Sequence, residues 1–212
     1  MITLGLDTCL AACSVAVIED DRVLAAASEP MVRGHQERLA SMAGEVLRAA
    51  GLDFAGLDRI GVTVGPGSFT GLRVGLAFAK GLGLALDRPC VAVGSLEALA
   101  AGVTDAGVRA AVIDAGRGRV FLEVFEREMS ITAADSLELA TAAARLAELA
   151  PSAELTLIGP GVKLIAGVVR RARIIEQAAP APEVVAKLAA RRAAAPPRPL
   201  YLRAPDAKPK AA

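Results

Sequence analysis

Residues 61–81 read GVTVGPGSFTGLRVGLAFAKG, a glycine-rich turn between a β-branched run and an apolar stretch, the kind of place where phosphates are handled. A nucleoside-triphosphate loop needs G-x-x-x-x-G-K-[ST], with the lysine on the β- and γ-phosphates and the hydroxyl on magnesium. Here five residues separate Gly65 from Gly71, and Leu72-Arg73 stand where Lys-Ser/Thr belongs. A dinucleotide fingerprint needs G-x-G-x-x-G, and Gly65-Pro66-Gly67-Ser68-Phe69-Thr70-Gly71 is one residue too long. What remains is a helix start, with Ser68 or Thr70 to cap it and Gly67 to relieve the turn. Its positive end has only the weak attraction for anions of any helix N-terminus. Arg73 is unfavourable so near that end, so it either points toward an acidic partner or is a plain surface arginine.

Other reactive side chains are sparse. His35 is the only histidine, no acid beside it is legible, and no Ser-His-Asp set can be assembled around it. It reads as a helix-start contact. Cys9 and Cys13 stand at ligand spacing, but no second Cys/His pair completes a zinc site. The three cysteines therefore read as buried or idle thiols.

Composition narrows the classes further. With 54% apolar residues over 212 positions, the chain is long enough for one large domain or two small lobes. Aromatics are 3%, with no Trp and one Tyr, too few for a base-stacking RNA platform. No uninterrupted apolar run reaches the roughly 18 residues of a bilayer span. The opening MITLGLDTCL lacks a basic n-region, so the expected compartment is the cytoplasm, with no membrane partner. Net charge is +1 but unevenly placed: residues 1–162 hold 13 basic and 20 acidic side chains, residues 163–212 hold 11 and 3. The basic section suits RNA phosphates or an acidic partner, or simply a solvated face.

The elements that must position these residues follow from periodicity and turn signals. Strands are expected at Ile2–Thr8, Ala12–Glu19, Arg22–Ser28, Arg59–Val64 and Cys90–Val93, with helices at about Gly34–Ala50, Ser68–Leu86 and from Ser95. The second half repeats the order: strands at Arg109–Asp114, Arg119–Glu126 and Met129–Ala133, a helix at about Leu137–Leu149, and a strand at Glu154–Ile158. A helix after Gly159-Pro160-Gly161, a strand at Ala172–Ile175 and a helix at about Pro182–Ala194 close it. Three strands followed by alternating helix and strand, twice over, imply an α/β protein of two lobes, each a mixed sheet with covering helices. That is the actin/hexokinase/Hsp70-like (ASKHA) architecture. The lobes are expected at residues 1–102 and 103–195, with the Pro-rich segment 196–212 returning to the first.

Within Ser68–Leu86, Gly71, Gly75, Ala79 and Gly83 recur every four residues, flanked by Leu72, Leu76 and Leu82. Glycine inside a helix costs about 0.8–1.0 kcal/mol relative to Ala, so several together need a compensating close contact. Either the helix lies tight on its own sheet, or the ridge receives another helix.

The blocks GLDTCLAACSVAV, GHQERL, VGPGSFTGLRVGLAFAKGLGLAL and VGSLEALA, the strand entering Asp114 and the final PLYLR together resemble the TsaB (YeaZ) family. This is the partner subunit in bacterial synthesis of threonylcarbamoyladenosine in tRNA. The likeness runs along essentially the whole chain and is most specific in GPGSFTGLR. The family often has Asp-Ala-Arg where this chain has Asp114-Ala115-Gly116, with Arg117 and Arg119 just beyond.

The resemblance implies a heterodimer with the catalytic TsaD paralogue through the two first-lobe helices. The interface would hold Leu39, Met42 and Val46 on one helix, and Gly71, Leu72, Arg73, Gly75, Leu76, Ala79, Leu82 and Gly83 on the other. It further implies a homodimer through the same face when the partner is absent, a TsaE-like ATPase and tRNA in the complex. No cofactor is expected on this chain, with ATP and a metal ion in the partner. Where the paralogue has a His-x-x-x-His metal pair, this chain has Ser95 and Leu99. Asp7-Thr8 and Asp114-Ala115-Gly116 fall where actin-like ATPases place acidic residues, and would form a vestigial nucleotide site of Asp7, Thr8, Asp114 and Gly116; Asp-Gly turns are also ordinary structural capping. The expected function is thus a non-catalytic activating subunit in tRNA modification. The alternatives are an actin-like ATPase or small-molecule kinase using Asp7 and Asp114, and an RNA-binding module built on residues 163–212.

Overall fold

The computed structural model describes residues 1–104, 107–150, 154–167, 169 and 172–203. The end of the Pro-rich segment, 204–212, and the basic residues Arg170, Arg171, Lys208 and Lys210 lie outside them.

The first sheet has the order β3-β2-β1-β4-β5. Its strands are β1 (Ile2–Asp7), β2 (Ala12–Glu19), β3 (Arg22–Pro30), β4 (Arg59–Thr63) and β5 (Cys90–Val93). β1 to β3 are an antiparallel meander, while β4 and β5 run parallel to β1. The second sheet has the order β11-β10-β6-β7-β8 with β9 also on β7. It comprises β6 (Val108–Gly116), β7 (Arg119–Glu126), β8 (Met129–Ser130), β9 (Asp135–Glu138), β10 (Leu155–Ile158) and β11 (Ala172–Ile175). The sequence reading missed β9, a four-residue strand of mixed polarity, and a single 3-10 turn at Phe54–Gly56.

Strand alternation sorts the first sheet into two faces. Leu4, Leu6, Ile60 and Val62 point to one side, where α1 (His35–Ala49) and α2 (Phe69–Leu86) bury Leu39, Met42, Leu47, Leu72 and Leu76 against them. On the other side stand Gly5 and Gly61, paired across β1 and β4. They form a groove without side chains, and α6 (Pro182–Ala190) lies in it. A Cβ at Gly5 would come 2.6 Å from the Ala186 nitrogen, and one at Gly61 2.4 Å from the Ala189 Cβ.

This placement corrects the expected division at residue 195. α6 follows the second sheet in sequence but packs on the first. Conversely α3 (Ser95–Ala101) follows the first sheet and packs on the second, burying Leu96, Leu99 and Ala100 with Ile113, Phe121 and Ile158. The closing helices are exchanged between lobes and touch each other. The second sheet's opposite face is covered by α4 (Leu139–Leu149) and the short α5 (Val162–Ile165). Beyond α6, Ala195 bridges to Val91 and the Leu200 N–H donates to the Val64 carbonyl at 2.8 Å, returning the chain along the Gly65–Pro66 turn.

Among the described residues α2 is the one helix long and apolar enough, by length and composition alone, to cross a membrane, with 18 residues and mean hydropathy 1.3. Arg73 and Lys80 interrupt its apolar run, and in this fold its inner face is seated on the sheet.

Gly61→Ala is expected to lower the unfolding free energy by about 1–3 kcal/mol, the usual cost of overpacking. The measurement is a fall in the urea midpoint, partly reversed by adding Ala189→Gly. A midpoint equal to that of the parent chain would mean that α6 is not seated in the groove.

Candidate functional site

Two regions offer themselves: the cleft between the lobes and the outer surface of α1 and α2. The cleft is built where β1, β4 and β6 end. A cavity of about 400 Å3 lies between Pro66–Phe69, Asp114–Gly116 and Leu200–Arg203. A second, of about 240 Å3, adjoins it through Gly67, Ser68 and Asp114 and extends to Leu10, Val32 and Pro160.

Of the four residues expected to hold a nucleotide, the structure brings only Asp114 and Gly116 to this cleft. Asp114 is exposed, and its Oδ1 accepts from the Gly116 N–H at 2.7 Å, where a register shift between β6 and β7 re-aims the turn. Asp7 lies on the other face of β1, next to Thr63, and is fully buried. Its Oδ1 accepts from the Thr63 hydroxyl at 2.6 Å and the Cys9 N–H at 3.0 Å, while Oδ2 has no partner. Burial lifts its carboxyl to about 6 in spite of those hydrogen bonds. Thr8 is buried too, its hydroxyl donating to the Gly71 carbonyl at 2.7 Å. Asp7 and Thr8 are therefore structural parts of the first lobe.

A metal-bound nucleotide of the actin type does not fit these residues. No group of three His, Cys, Asp or Glu side chains among the described residues could hold a metal ion. Ser95 and Leu99 are themselves buried at 0% exposure. Burial also raises the thiols of Cys9, to about 12, and Cys13, to about 11, so both stay protonated and unreactive. His35 is buried at the start of α1, with its Nε2 unpartnered.

The glycine ridge also needs correction. A Cβ at Gly71 would stand 2.0 Å from the Thr8 carbonyl oxygen, one at Gly75 2.5 Å from the Thr8 Oγ1, and one at Gly83 2.5 Å from the Cys90 Sγ. Gly71, Gly75, Ala79 and Gly83 thus face their own sheet, as do Leu72 and Leu76 beside them. Leu39, Met42 and Val46 of α1 are buried the same way. Of the eleven residues expected at an interface, only Arg73 is exposed and Leu82 half-buried. The physical reason is close approach: missing side chains let the helix backbone settle onto β1, β4 and β5. A signal for the orientation was present, because Arg73 and Lys80, two turns apart, mark the solvent face opposite the glycines.

The outer face of α2 carries Thr70, Arg73, Ala77, Lys80, Gly81, Leu84 and Ala85, with Leu84 87% exposed. Built Cβ atoms at Gly81, and at Gly44 on α1, meet nothing within 4 Å. These two mid-helix glycines have no compensating contact inside the chain, unlike Gly71, Gly75 and Gly83. Arg38 anchors α1 to β3 through Glu29 at 2.6 Å and is braced along its own helix by Glu45 at 2.7 Å. Where α2 meets the cleft, the Arg73 guanidinium lies 3.8 Å over the Phe69 ring, and Phe69 stacks on Tyr201 at 5.3 Å. Sequence reasoning missed Phe69 and Tyr201 as surface features. Both lay within quoted motifs, in a chain with only six aromatic rings.

Two consequences are testable in the isolated chain. Gly75→Leu is expected to unfold the first lobe, whereas Gly81→Ala should raise the unfolding free energy by up to about 1 kcal/mol, both read by urea denaturation. Equal effects of the two changes would contradict the orientation of α2. Second, the folded chain holds the Asp7 proton more tightly than the unfolded chain, whose ordinary value is 3.8. The Asp7 contribution to stability is therefore full below about pH 4 and lost as pH rises through about 6. Relative to Asp7→Asn, the parent chain should lose on the order of 3 kcal/mol between about pH 4 and about pH 7. A difference that stays flat over that range would rule out a buried, strained carboxyl.

Comparison with known proteins agrees with this geometry. The sequence model of the family described as tRNA N6-adenosine threonylcarbamoyltransferase (TsaD) matches residues 27–154, more than half of the chain. The tRNA threonylcarbamoyladenosine biosynthesis protein TsaB of Escherichia coli is 34% identical over 131 residues, covering 60% of this chain and 56% of that protein. The chain thus spans just over half the length of such relatives. The structure of YeaZ from Pseudomonas aeruginosa superimposes with a TM-score of 0.77 at 29% identity, covering 89% of this chain and 90% of that one. An ROK hexokinase from Thermus thermophilus shares the fold alone, with a TM-score of 0.51 at 17% identity over 90% and 97% of the two chains. The two-lobed ASKHA-like fold and the family match concur: this chain belongs to the tRNA N6-adenosine threonylcarbamoyltransferase family and, within it, to the TsaB/YeaZ group.

Proposed function

We propose that this chain is a non-catalytic partner subunit in the formation of N6-threonylcarbamoyladenosine in tRNA, docking a TsaD-like catalytic paralogue through the outer faces of α1 and α2. The observation that carries the reading is the open surface of α2: Leu84 is 87% exposed beside Gly81, whose missing side chain leaves room for another helix. Two pairs of helices meeting in a bundle use just such small residues beside larger apolar ones. The names of the relatives support the pathway, since TsaB and TsaD proteins are both described by this modification.

The burial of Asp7, Ser95 and Leu99 supports a chain that leaves the chemistry to its partner. That chemistry passes a threonylcarbamoyl group from its adenylate to the exocyclic nitrogen of the adenosine next to the anticodon. ATP and the metal ion then belong to the partner, and a TsaE-like ATPase and tRNA join the assembly in the cytoplasm. When the partner is absent, the same open face pairs two copies of this chain. The competing ATPase reading would need the Asp7 carboxylate in the cleft, where its burial does not put it.

Gly81→Leu and Leu84→Glu are expected to leave the melting temperature of the isolated chain nearly unchanged and to abolish co-elution with the TsaD-like protein. Co-elution at the parent level in both variants would reject this docking face. Deletion of the gene, followed by nucleoside analysis of bulk tRNA, should show a loss of threonylcarbamoyladenosine. An untouched level would reject the function itself.

A further inference from the structure

A third cavity, of about 530 Å3, shares no residue with the interlobe cleft. It opens where the exchanged helices meet, between the end of α3, the outer side of α6 and the β7–β8 hairpin. Its floor is apolar, formed by Ala100, Val103, Phe125, Val184 and Leu188. Around it stand Arg127, Lys187, Arg191 and Arg192 against Glu97 and Glu128, with Arg109 buried in the wall.

Several of these cations are already engaged. Arg192 pairs with Glu97, and Arg191 reaches Asp21 at 2.9 Å. Arg109 is 7% exposed, its Nη1 donating to the Ala100 and Val103 carbonyls at 2.8 Å each. Lys187, half-buried on α6, and Arg127, exposed in the hairpin, are engaged by no carboxylate among the described residues. Of the basic residues in 163–212, Lys163 pairs with Glu176, and Arg191 and Arg192 form the pairs above, while Lys187 stays available at this cavity.

We propose that this cavity binds a nucleoside monophosphate, with the ring system on the apolar floor and the phosphate on Lys187 and Arg127. The volume falls in the range of roughly 300–1,000 Å3 that holds small ligands, and junctions between lobes are where such sites occur. Two available cations match one phosphate dianion. The Glu128 and Glu97 carboxylates accept hydrogen bonds from ribose hydroxyls, while the negative charge of Glu128 works against a longer phosphate chain. An RNA backbone needs only cations along an exposed track; here they ring a concavity with an apolar floor. Because the walls come from α6 on the first sheet and from α3 and β7 on the second, an occupant bridges both lobes.

Calorimetric titration of the full chain with AMP, adenosine, inorganic phosphate and bulk tRNA tests this. AMP is expected to saturate at one site, with adenosine and inorganic phosphate each at least about ten-fold weaker. Lys187→Glu and Arg127→Glu should each weaken AMP by about ten-fold or more, the loss of one charge-assisted hydrogen bond, at unchanged melting temperature. Failure of AMP to saturate at millimolar concentration would overturn the proposal. So would binding that survives both charge reversals but is lost on Asp114→Asn, which would put the nucleotide in the interlobe cleft. Lys187-dependent binding of tRNA without binding of AMP would make the rim an RNA contact and overturn it equally.

Discussion

The seating of α6 on the bare backbone of Gly5 and Gly61 is the contact on which the rest of the molecule depends. Two glycines in register on adjacent strands remove the side chains that would hold a helix off the sheet, and α6 enters that space with Ala186 and Ala189. Val185 and Ala189 then close a small core with Val91, Val93 and Ala98. With α6 fixed on the first sheet, α3 is left to cover the second, and the lobes are bound by exchanged helices. The same seating directs Ala195–Arg203 past the Gly65–Pro66 turn to roof the interlobe cleft, and it forms one wall of the cation-rimmed cavity.

Helix α2 uses small residues for two different purposes. On its inner face Gly71, Gly75 and Gly83 admit Thr8 and Cys90 at distances no side chain would allow. On its outer face Gly81, flanked by Ala77 and Ala85, meets nothing. The inner glycines are compensated by packing within the fold. The outer one, together with Gly44 on α1, carries its helical cost without return in the isolated chain, which supports the docking face proposed above. The Arg38 bond to Glu29 ties α1 to β3, and its bond to Glu45 braces the guanidinium along α1.

Electrostatics divides the molecule in a matching way. The carboxylate on β1 is sealed beneath Thr63 and Cys9, away from the interlobe cleft, and the one on β6 is turned onto its own hairpin. At the junction of α3, α6 and the β7–β8 hairpin, cations gather around an apolar floor.

Apart from the short β9 and the 3-10 turn, element order, the strand alternation and the helix start at Ser68 were legible in the residues, because periodicity and capping are local properties. The Ser68 side chain does accept from the Gly71 N–H at 3.2 Å. The family likeness was legible as well, in contiguous blocks such as GPGSFTGLR. The lobe to which α6 belongs was not, since Val185, Ala186 and Ala189 would suit any apolar sheet; the choice was made by a groove at Gly5 and Gly61, more than a hundred residues away. Nor did a four-residue repeat of small side chains say whether it faced inward or outward. The sequence by itself determined which segments are helices and strands and which of their faces are apolar or small. Only tertiary packing decided which of those faces are covered, because burial is a relation between distant segments and no single segment carries it.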